Sequence, residues 1–234
     1  MNLRLLQLGD SALPIGGYSH SWGLEAAMDR GSVRDAVGLE GWTRSFLLDV
    51  LGPLEGVIVA AVVRSPDCAM EANELLWASM SPPTLRHASR DMGEQLLSLA
   101  STWEWARDSL PRRGEGSQNA AFSPPPRHGG ERSQMQWHHA IVFGCLAAGA
   151  GASPRDAVAL YLHQAALGVI SAGVRGVPIG HTHGQQILAR LHDDIAALAV
   201  NLYDKPLETA GSNAPAYEIL CHEQSRLYTR IFRS

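Results

Sequence analysis

Residues 85 to 106 read LRHASRDMGEQLLSLASTWEWA, and their apolar side chains recur at helical spacing. The positions concerned are Leu85, Met92, Leu96, Leu99, Trp103 and Ala106. Steps of three, four and seven place these side chains on one face of a helix, so the spacing predicts an amphipathic helix of about six turns. Ser81-Pro82-Pro83 breaks the chain just before it, because a residue that precedes proline is driven out of the helical region.

Helical periodicity also dominates the rest of the chain. One helical face is formed by Trp42, Phe46, Leu47 and Val50, and the run Val57–Val63 is typical of a helix buried on nearly all sides. Near the end, after Thr182 and Gly184, the pattern recurs at Ile187, Leu188, Leu191, Ile195 and Leu198. No period-two alternation bounded by turns indicates a sheet. We therefore predict an all-α fold, a compact bundle of about eight to ten helices in a single domain spanning residues 1–234.

Composition narrows the classes of function. Hydrophobic residues make up 45% of the 234 positions, charged residues 18%, and the net charge is −4. An acidic chain without a basic run gives no electrostatic reason to expect nucleic acid or an anionic membrane as partner. The apolar run Val57–Val63 is too short to span a bilayer, and no charged-then-apolar leader opens the sequence. Cys68, Cys145 and Cys221 never form a CxxC pair, which favours reduced thiols in the cytoplasm.

One segment does not fit the helical plan. Asp108–Ser133 reads DSLPRRGEGSQNAAFSPPPRHGGERS and is rich in proline, glycine, serine and arginine. So few apolar side chains cannot offset the entropy of ordering the segment. We expect a surface loop or insertion there, with a binding arm around SPPPR as the alternative.

The triplet Gly9-Asp10-Ser11 is also found as the nucleophile block of GDS-type serine esterases. A hydrolytic serine needs a histidine base and a carboxylate that orients the base. No histidine of this sequence has an aspartate three positions before it, as the late Asp-x-x-His of those enzymes requires. We interpret Asp10 and Ser11 as the end of a helix, followed by a turn at Pro14, Gly16 and Gly17 before Ser19 or Ser21 caps the next helix.

Five blocks in order resemble the UreF family of urease accessory proteins. They are ALPIGGYSHSWGLEAA (12 to 27), Gly52-Pro53-Leu54, HHAIVFGCLAAGAG (138 to 151), LGVISAGVRGVPIGHTHGQQIL (167 to 188) and CHEQSRLYTRIFRS (221 to 234). They cover most of the chain outside Asp108–Ser133. The resemblance implies a non-catalytic, all-helical homodimer that binds a UreD/UreH-type protein, recruits the UreG-type GTPase and docks on apo-urease. It also implies that nickel is handled transiently within that complex, without a tightly bound cofactor.

The two ends of the sequence supply the candidate site residues. Pro14, Gly16 and Gly17 are interpreted as a structural turn, because glycine permits positive φ or close backbone approach. Arginine and aromatic side chains are enriched at interface hot spots, and they alternate through the tail at 224–234. The predicted partner-binding residues are Tyr18, Glu25, Arg226, Leu227, Tyr228, Arg230, Phe232 and Arg233. We expect the tail to become ordered on its partner.

Histidines are the candidate metal ligands. His181 and His183 flank Thr182, and His138 and His139 stand at the start of a predicted helix. Tight nickel or zinc sites need three or four ligands, and no HExxH, CxxC or histidine-rich run completes either pair. A capping or solvated role is expected for each histidine, with His181 and His183 as weak metal candidates. The alternatives to an adaptor are the GDS-type esterase and a stand-alone nickel-binding chaperone.

Overall fold

The computed structural model describes residues 2–111, 136–212 and 214–234. Across these ranges the regular secondary structure is helical and contains no strand, which confirms the predicted all-α fold. The α-helices are α1 Leu3–Leu8, α2 Leu24–Asp29, α3 Ala36–Ser45, α4 Val57–Arg64, α5 Ala69–Ser79, α6 Pro83–Ala100, α7 His139–Gly149, α8 Pro154–Gly176, α9 His181–Leu202 and α10 Pro215–Gln224. Only short connections and 3₁₀ turns separate most of them.

A π-helical segment, Phe46–Gly56, joins α3 to α4 without interruption. Asp35 begins this long helix by accepting a hydrogen bond from the Gly38 N–H at 2.8 Å. Pro53 lies inside the π-helical segment, where its missing N–H is consistent with the wider backbone turn. Phe46 and Leu47 are buried as their spacing predicts, and α4 is buried along most of its length.

Helix α6 ends earlier than the apolar spacing predicts. It stops at Ala100, and a 3₁₀ segment follows at Glu104–Ser109. The hydroxyl groups of Ser101 and Thr102 donate hydrogen bonds, each at 2.7 Å, to carbonyl groups of the last helical turn. These side chains satisfy carbonyls that a continuing helix would use, so the helix terminates. The predicted six-turn helix is therefore wrong in length, although Ala106 is fully buried as predicted.

The centre of the core is formed by α4 and α7. Every residue of α7 from His139 to Ala147 is buried, and Trp137 just before it is among the largest fully buried side chains. Helix α8 packs on this centre, and α9 packs on α8, on α3 and on the π-helical segment. The predicted apolar stripe of α9 from Ile187 to Leu198 is buried, which confirms it. Ser153 starts α8 by accepting from the Asp156 N–H at 3.1 Å, with Pro154 in the first turn.

All three cysteines are free thiols, as their spacing predicts. Cys145 and Cys221 are buried and Cys68 is half-buried. Burial raises the pKa of the Cys145 thiol and of the Cys221 thiol to about 12. Both therefore stay protonated and unreactive at neutral pH.

Two helical stretches are long and apolar enough to cross a membrane by length and composition alone. They are Ala36–Arg64, which joins α3 to α4, and Pro154–Gly176. In the most apolar 18-residue part of each stretch, 72% of the residues in the first and 50% in the second are buried inside the protein. Core helices of soluble proteins pass the same test, so these stretches are weak indications of a membrane protein.

The predicted loop or insertion at Asp108–Ser133 lies mostly outside the described residues. Asp108 and Ser109 form the end of the 3₁₀ segment. Residues 112–135 are not described, so the interpretation of this segment stays a prediction.

Candidate docking surface

The first sequence block folds into a loop built on left-handed backbone positions. Gly16 has φ 79°, as the predicted turn requires, and the Ser19 hydroxyl donates to its carbonyl at 2.8 Å. Trp22 and Gly23 follow with φ 55° and 81°. A tryptophan in this region is strained and needs its surroundings to hold it. We call residues 16–23 the motif loop.

The capping prediction for α2 holds only in part. The N-cap residue is Gly23, but the Ser21 hydroxyl accepts a long hydrogen bond, 3.4 Å, from the Glu25 N–H in the first turn. The same hydroxyl accepts a hydrogen bond from Gln224 Nε2 at 2.8 Å and lies 3.1 Å from the main-chain oxygen of Ser234. Ser21 is thus used to join the motif loop to the end of the chain.

Residues 226–234, the C-terminal segment, lie against the motif loop. The main-chain oxygen of Ser234 accepts from the N–H groups of Ser21 at 2.5 Å and Trp22 at 3.1 Å. The Arg233 N–H donates to the Ser19 carbonyl at 2.8 Å. His20 Nδ1 lies 2.7 Å from the Ser234 hydroxyl, and burial lowers the pKa of His20. Within this structure the segment is ordered by its own chain.

The Glu25 side chain of α2 binds the backbone of the C-terminal segment. It is 7% exposed, and its carboxylate accepts from the main-chain N–H groups of Ile231 at 2.6 Å and Phe232 at 3.2 Å. A buried carboxylate with two backbone donors is a strong anchor, because hydrogen bonds to charged groups are about twice as strong as neutral ones. The side chain of Glu25 is therefore turned inward.

Arg175 of α8 connects the two segments. Its guanidinium lies over the Phe232 ring, 4.4 Å from the ring centre, and donates to the Tyr18 carbonyl at 2.7 Å. Phe232 is 3% exposed and belongs to the hydrophobic core. Sequence reasoning missed Arg175, whose only signal is its place in the fourth family-like block.

We call the exposed side chains of the motif loop and the C-terminal segment the docking surface. Tyr18 is 77% exposed, Ile231 is 64% exposed, and Tyr228 is fully exposed. Arg226, Arg230 and Arg233 are exposed beside them. Of the eight predicted partner-binding residues, Glu25 and Phe232 are buried supports and Leu227 is half-buried, while the other five are exposed. Partner binding by these residues stays a prediction.

The four candidate histidines form one exposed pair and one buried pair. His181 and His183 are exposed in the first turn of α9. His138 and His139 are buried, so neither is solvated; His138 occupies the N-cap position of α7, but its side chain makes no capping hydrogen bond. Burial lowers the pKa of His138 to about 3 and that of His139 to about 4, which keeps both neutral. Among the described residues, no three His, Cys, Asp or Glu side chains lie close enough to hold a metal ion.

The Gly9-Asp10-Ser11 triplet follows a helix. Helix α1 ends at Leu8 with Gly9 as its C-cap, whereas GDS-type esterases place the nucleophile after a strand. Asp10 accepts from the Ala12 N–H at 2.8 Å and forms a turn. In the described part of the chain, no histidine is hydrogen-bonded to Ser11.

The fold and this surface define an all-helical protein with aromatic and arginine side chains displayed at the junction of its two chain ends. A family model described as UreF matches residues 33–192. A urease accessory protein UreF from Corynebacterium efficiens is 29% identical over 234 residues, covering 99% of this chain and 96% of the relative. Another, from Cupriavidus pinatubonensis, is 30% identical over 240 residues, covering 99% and 97%. The chain therefore belongs to the UreF family.

Proposed function

We propose that this protein is a non-catalytic urease maturation adaptor. With a UreD/UreH-type partner it recruits a UreG-type GTPase to apo-urease and supports GTP-dependent delivery of nickel. Membership of a family whose relatives are named urease accessory proteins supports the maturation role. In this proposal the protein acts in the cytoplasm as a homodimer, and nickel passes through the complex as cargo.

The observation that carries the adaptor role is the docking surface. Exposed Tyr18 and Tyr228 stand beside three exposed arginines, which is the composition typical of interface hot spots. The backbone beneath them is held by Glu25 and by the Ser21 and Trp22 N–H groups. A surface ordered before binding loses less conformational entropy on association.

Nucleotide chemistry has to come from a partner in this proposal. The sequence contains no GxxxxGK[ST] phosphate loop, the element that cradles the phosphates in P-loop GTPases. The adaptor therefore contributes surface and position, and the GTPase contributes hydrolysis.

Co-purification with the UreD-type partner tests the proposal. We expect Tyr228→Ala combined with Arg230→Ala to weaken partner binding by roughly thirtyfold or more, since hot-spot truncations cost about 2 kcal/mol or more. Helicity should be unchanged, because both side chains are exposed. Tyr203→Ala is the matched control: Tyr203 is 40% exposed at the end of α9, outside the docking surface.

Two further measurements complete the experiment. The GTPase should be retained only when the UreD-type partner is present, and it should be lost together with that partner in the double variant. Hydrolysis of short acyl esters should not change on Ser11→Ala. Full retention of both partners by the double variant would show that the docking surface lies elsewhere.

A further inference from the structure

A cavity of about 140 Å³ lies beneath the motif loop. The π-helical segment, α6, α7 and α8 form its walls, and Tyr18 and Trp22 belong to its lining. Most of the lining is apolar, with Phe46, Leu51 and Met92 among its residues. The size is close to that of cavities that hold a benzene-sized molecule.

Polar atoms of two buried side chains, Glu55 and His139, and of the half-buried Gln164 also line this cavity. Glu55 is 6% exposed, and its Oε2 accepts a hydrogen bond from the Tyr161 hydroxyl. His139 is 7% exposed, and its Nε2 has no hydrogen-bond partner within the described chain. The same is true of Gln164 Oε1, while the amide nitrogen of Gln164 donates to the Leu8 carbonyl. Buried polar atoms without a partner are rare in native proteins and mark places where a ligand or ordered water belongs.

The polar groups of the cavity have an excess of acceptors. The Gln164 amide oxygen accepts only, and the Glu55 carboxylate has further lone pairs besides the one that Tyr161 uses. His139 Nε2 supplies one more position, as donor or acceptor. A ligand that completes this set brings several N–H donors and a positive charge. Metal coordination is not supported, because no three His, Cys, Asp or Glu side chains of the described residues come together.

We propose that this cavity is a binding site for a small primary ammonium ion with a short hydrocarbon body. The ammonium group donates to the carboxylate of Glu55 and to the amide oxygen of Gln164. The hydrocarbon body lies against Phe46, Leu51 and Met92. Benzylamine has the size and the donors that the site requires.

Charge gives the site a pH dependence. Burial raises the pKa of Glu55 to about 7, with the Tyr161 hydrogen bond opposing the shift. The ligand cation needs the ionised carboxylate, so binding below pH 7 releases a proton. The other titratable groups around Glu55 are Tyr161 from α8, His139 from α7 and Tyr217 from α10, with Asp10 and Tyr18 also lining the cavity. Burial keeps His139, Tyr161 and Tyr217 neutral between pH 6 and 8.

Calorimetric titration of the full chain with benzylamine, in a buffer containing EDTA, tests the site. We expect binding that strengthens about tenfold from pH 6 to pH 8, following the ionised fraction of Glu55. Benzyl alcohol has the same shape without the charge and should bind at least tenfold more weakly at pH 8. Glu55→Gln should remove that preference for the amine.

A second variant keeps the test independent of Glu55. Gly168 lines the cavity in α8, and a Cβ built on it meets no atom within 4 Å, so Gly168→Leu should fill the site and abolish binding. Gly41→Leu is the matched control, because Gly41 also lies within a helix with open space at its Cβ but does not line the cavity.

Three results would overturn the proposal. They are no benzylamine binding by the wild-type chain, equal binding of benzylamine and benzyl alcohol, and unchanged binding by Gly168→Leu. Equal binding would identify an apolar cavity without selectivity for a cation.

Discussion

The carboxylate of Glu25 accepts hydrogen bonds from the main-chain N–H groups of Ile231 and Phe232, more than 200 positions later in the sequence. Glu25 belongs to the first family-like block and Phe232 to the last. One buried side chain thus makes a single structural unit from the two ends. Backbone contacts also hold two of the exposed residues, since the Tyr18 carbonyl accepts from Arg175 and the Arg233 N–H donates to the Ser19 carbonyl.

Glu25→Ala should release the C-terminal segment. The change leaves the two buried N–H groups without an acceptor, and we expect the free energy of unfolding to fall by about 2 kcal/mol. Trypsin should then cut faster after Arg226 and Arg230. Glu223→Ala is the control, since its ion pair with Arg30 is exposed and should contribute less than about 1 kcal/mol. Equal trypsin sensitivity of the two variants would contradict the anchoring role of Glu25.

Arg175→Ala should loosen the same segment from the other side. It removes the guanidinium that covers the Phe232 ring and donates to the Tyr18 carbonyl. We expect faster amide hydrogen exchange at residues 231–234, and only partial recovery with Arg175→Lys, because lysine lacks the planar fork. Arg155→Ala, at the other end of α8, should leave the exchange unchanged. Full recovery with lysine would mean that charge alone acts here.

Gly93→Ala should destabilise the fold. Helix α6 approaches the start of α7 so closely that a Cβ on Gly93 would lie 2.1 Å from the Trp137 carbonyl oxygen. We expect a loss of about 3 kcal/mol, at the upper end for overpacking because the obstacle is backbone. Gly41→Ala, in α3 with open space, should instead stabilise by up to about 1 kcal/mol. Urea unfolding of both variants measures the difference, and equal effects would refute the close approach.

Stability should depend on pH through three buried groups. Folding lowers the pKa values of His138 and His139 to about 3 and about 4, so each adds stability as pH rises to 6.5. Folding raises the pKa of Glu55 from 4.5 to about 7, so this group removes stability as pH rises between those values. Together these three groups raise the free energy of unfolding by about 1.4 kcal/mol per pH unit from pH 4.5 to 6.5. Between pH 6.5 and 7 they lower it slightly, because only Glu55 still titrates there.

Glu55→Gln isolates the opposing contribution. Without the glutamate, the pH slope of the unfolding free energy between pH 4.5 and 6.5 should rise by about 1.4 kcal/mol per pH unit, because the opposing contribution is gone and the contributions of the histidines remain. Urea unfolding at several pH values provides the slope. An unchanged slope would show that Glu55 does not keep its proton in the folded protein.

Helical periodicity was sufficient to predict the class of fold, because the apolar stripes of α6 and α9 are long. It failed at the end of α6, where Ser101 and Thr102 bond back to the preceding turn. Such local hydrogen bonds leave the apolar spacing intact, so Trp103 and Ala106 still fit the pattern. Spacing finds which face is buried more reliably than where a helix stops.

Only part of the candidate site can be predicted from the sequence. The first and the last of the five blocks indicate both ends of the sequence, but nothing in one sequence shows that Glu25 and Phe232 are buried supports while Tyr18 and Tyr228 are exposed. Burial of a charged residue depends on partners that are distant in sequence. The same holds for His139 and Glu55, whose shared cavity with Tyr161 joins three separate segments.

The contacts of Ser234 with the motif loop also impose an order of events during synthesis. Ser21 and Trp22 leave the ribosome early, whereas their partner oxygen emerges after every helix from α1 to α10. Closing so long a stretch of chain comes late, since distant contacts form only after loop entropy has been overcome. A chain whose translation stops before Phe232 can form most of its helices without the complete docking surface. Binding through that surface would then favour chains that extend through Ser234 over shorter ones.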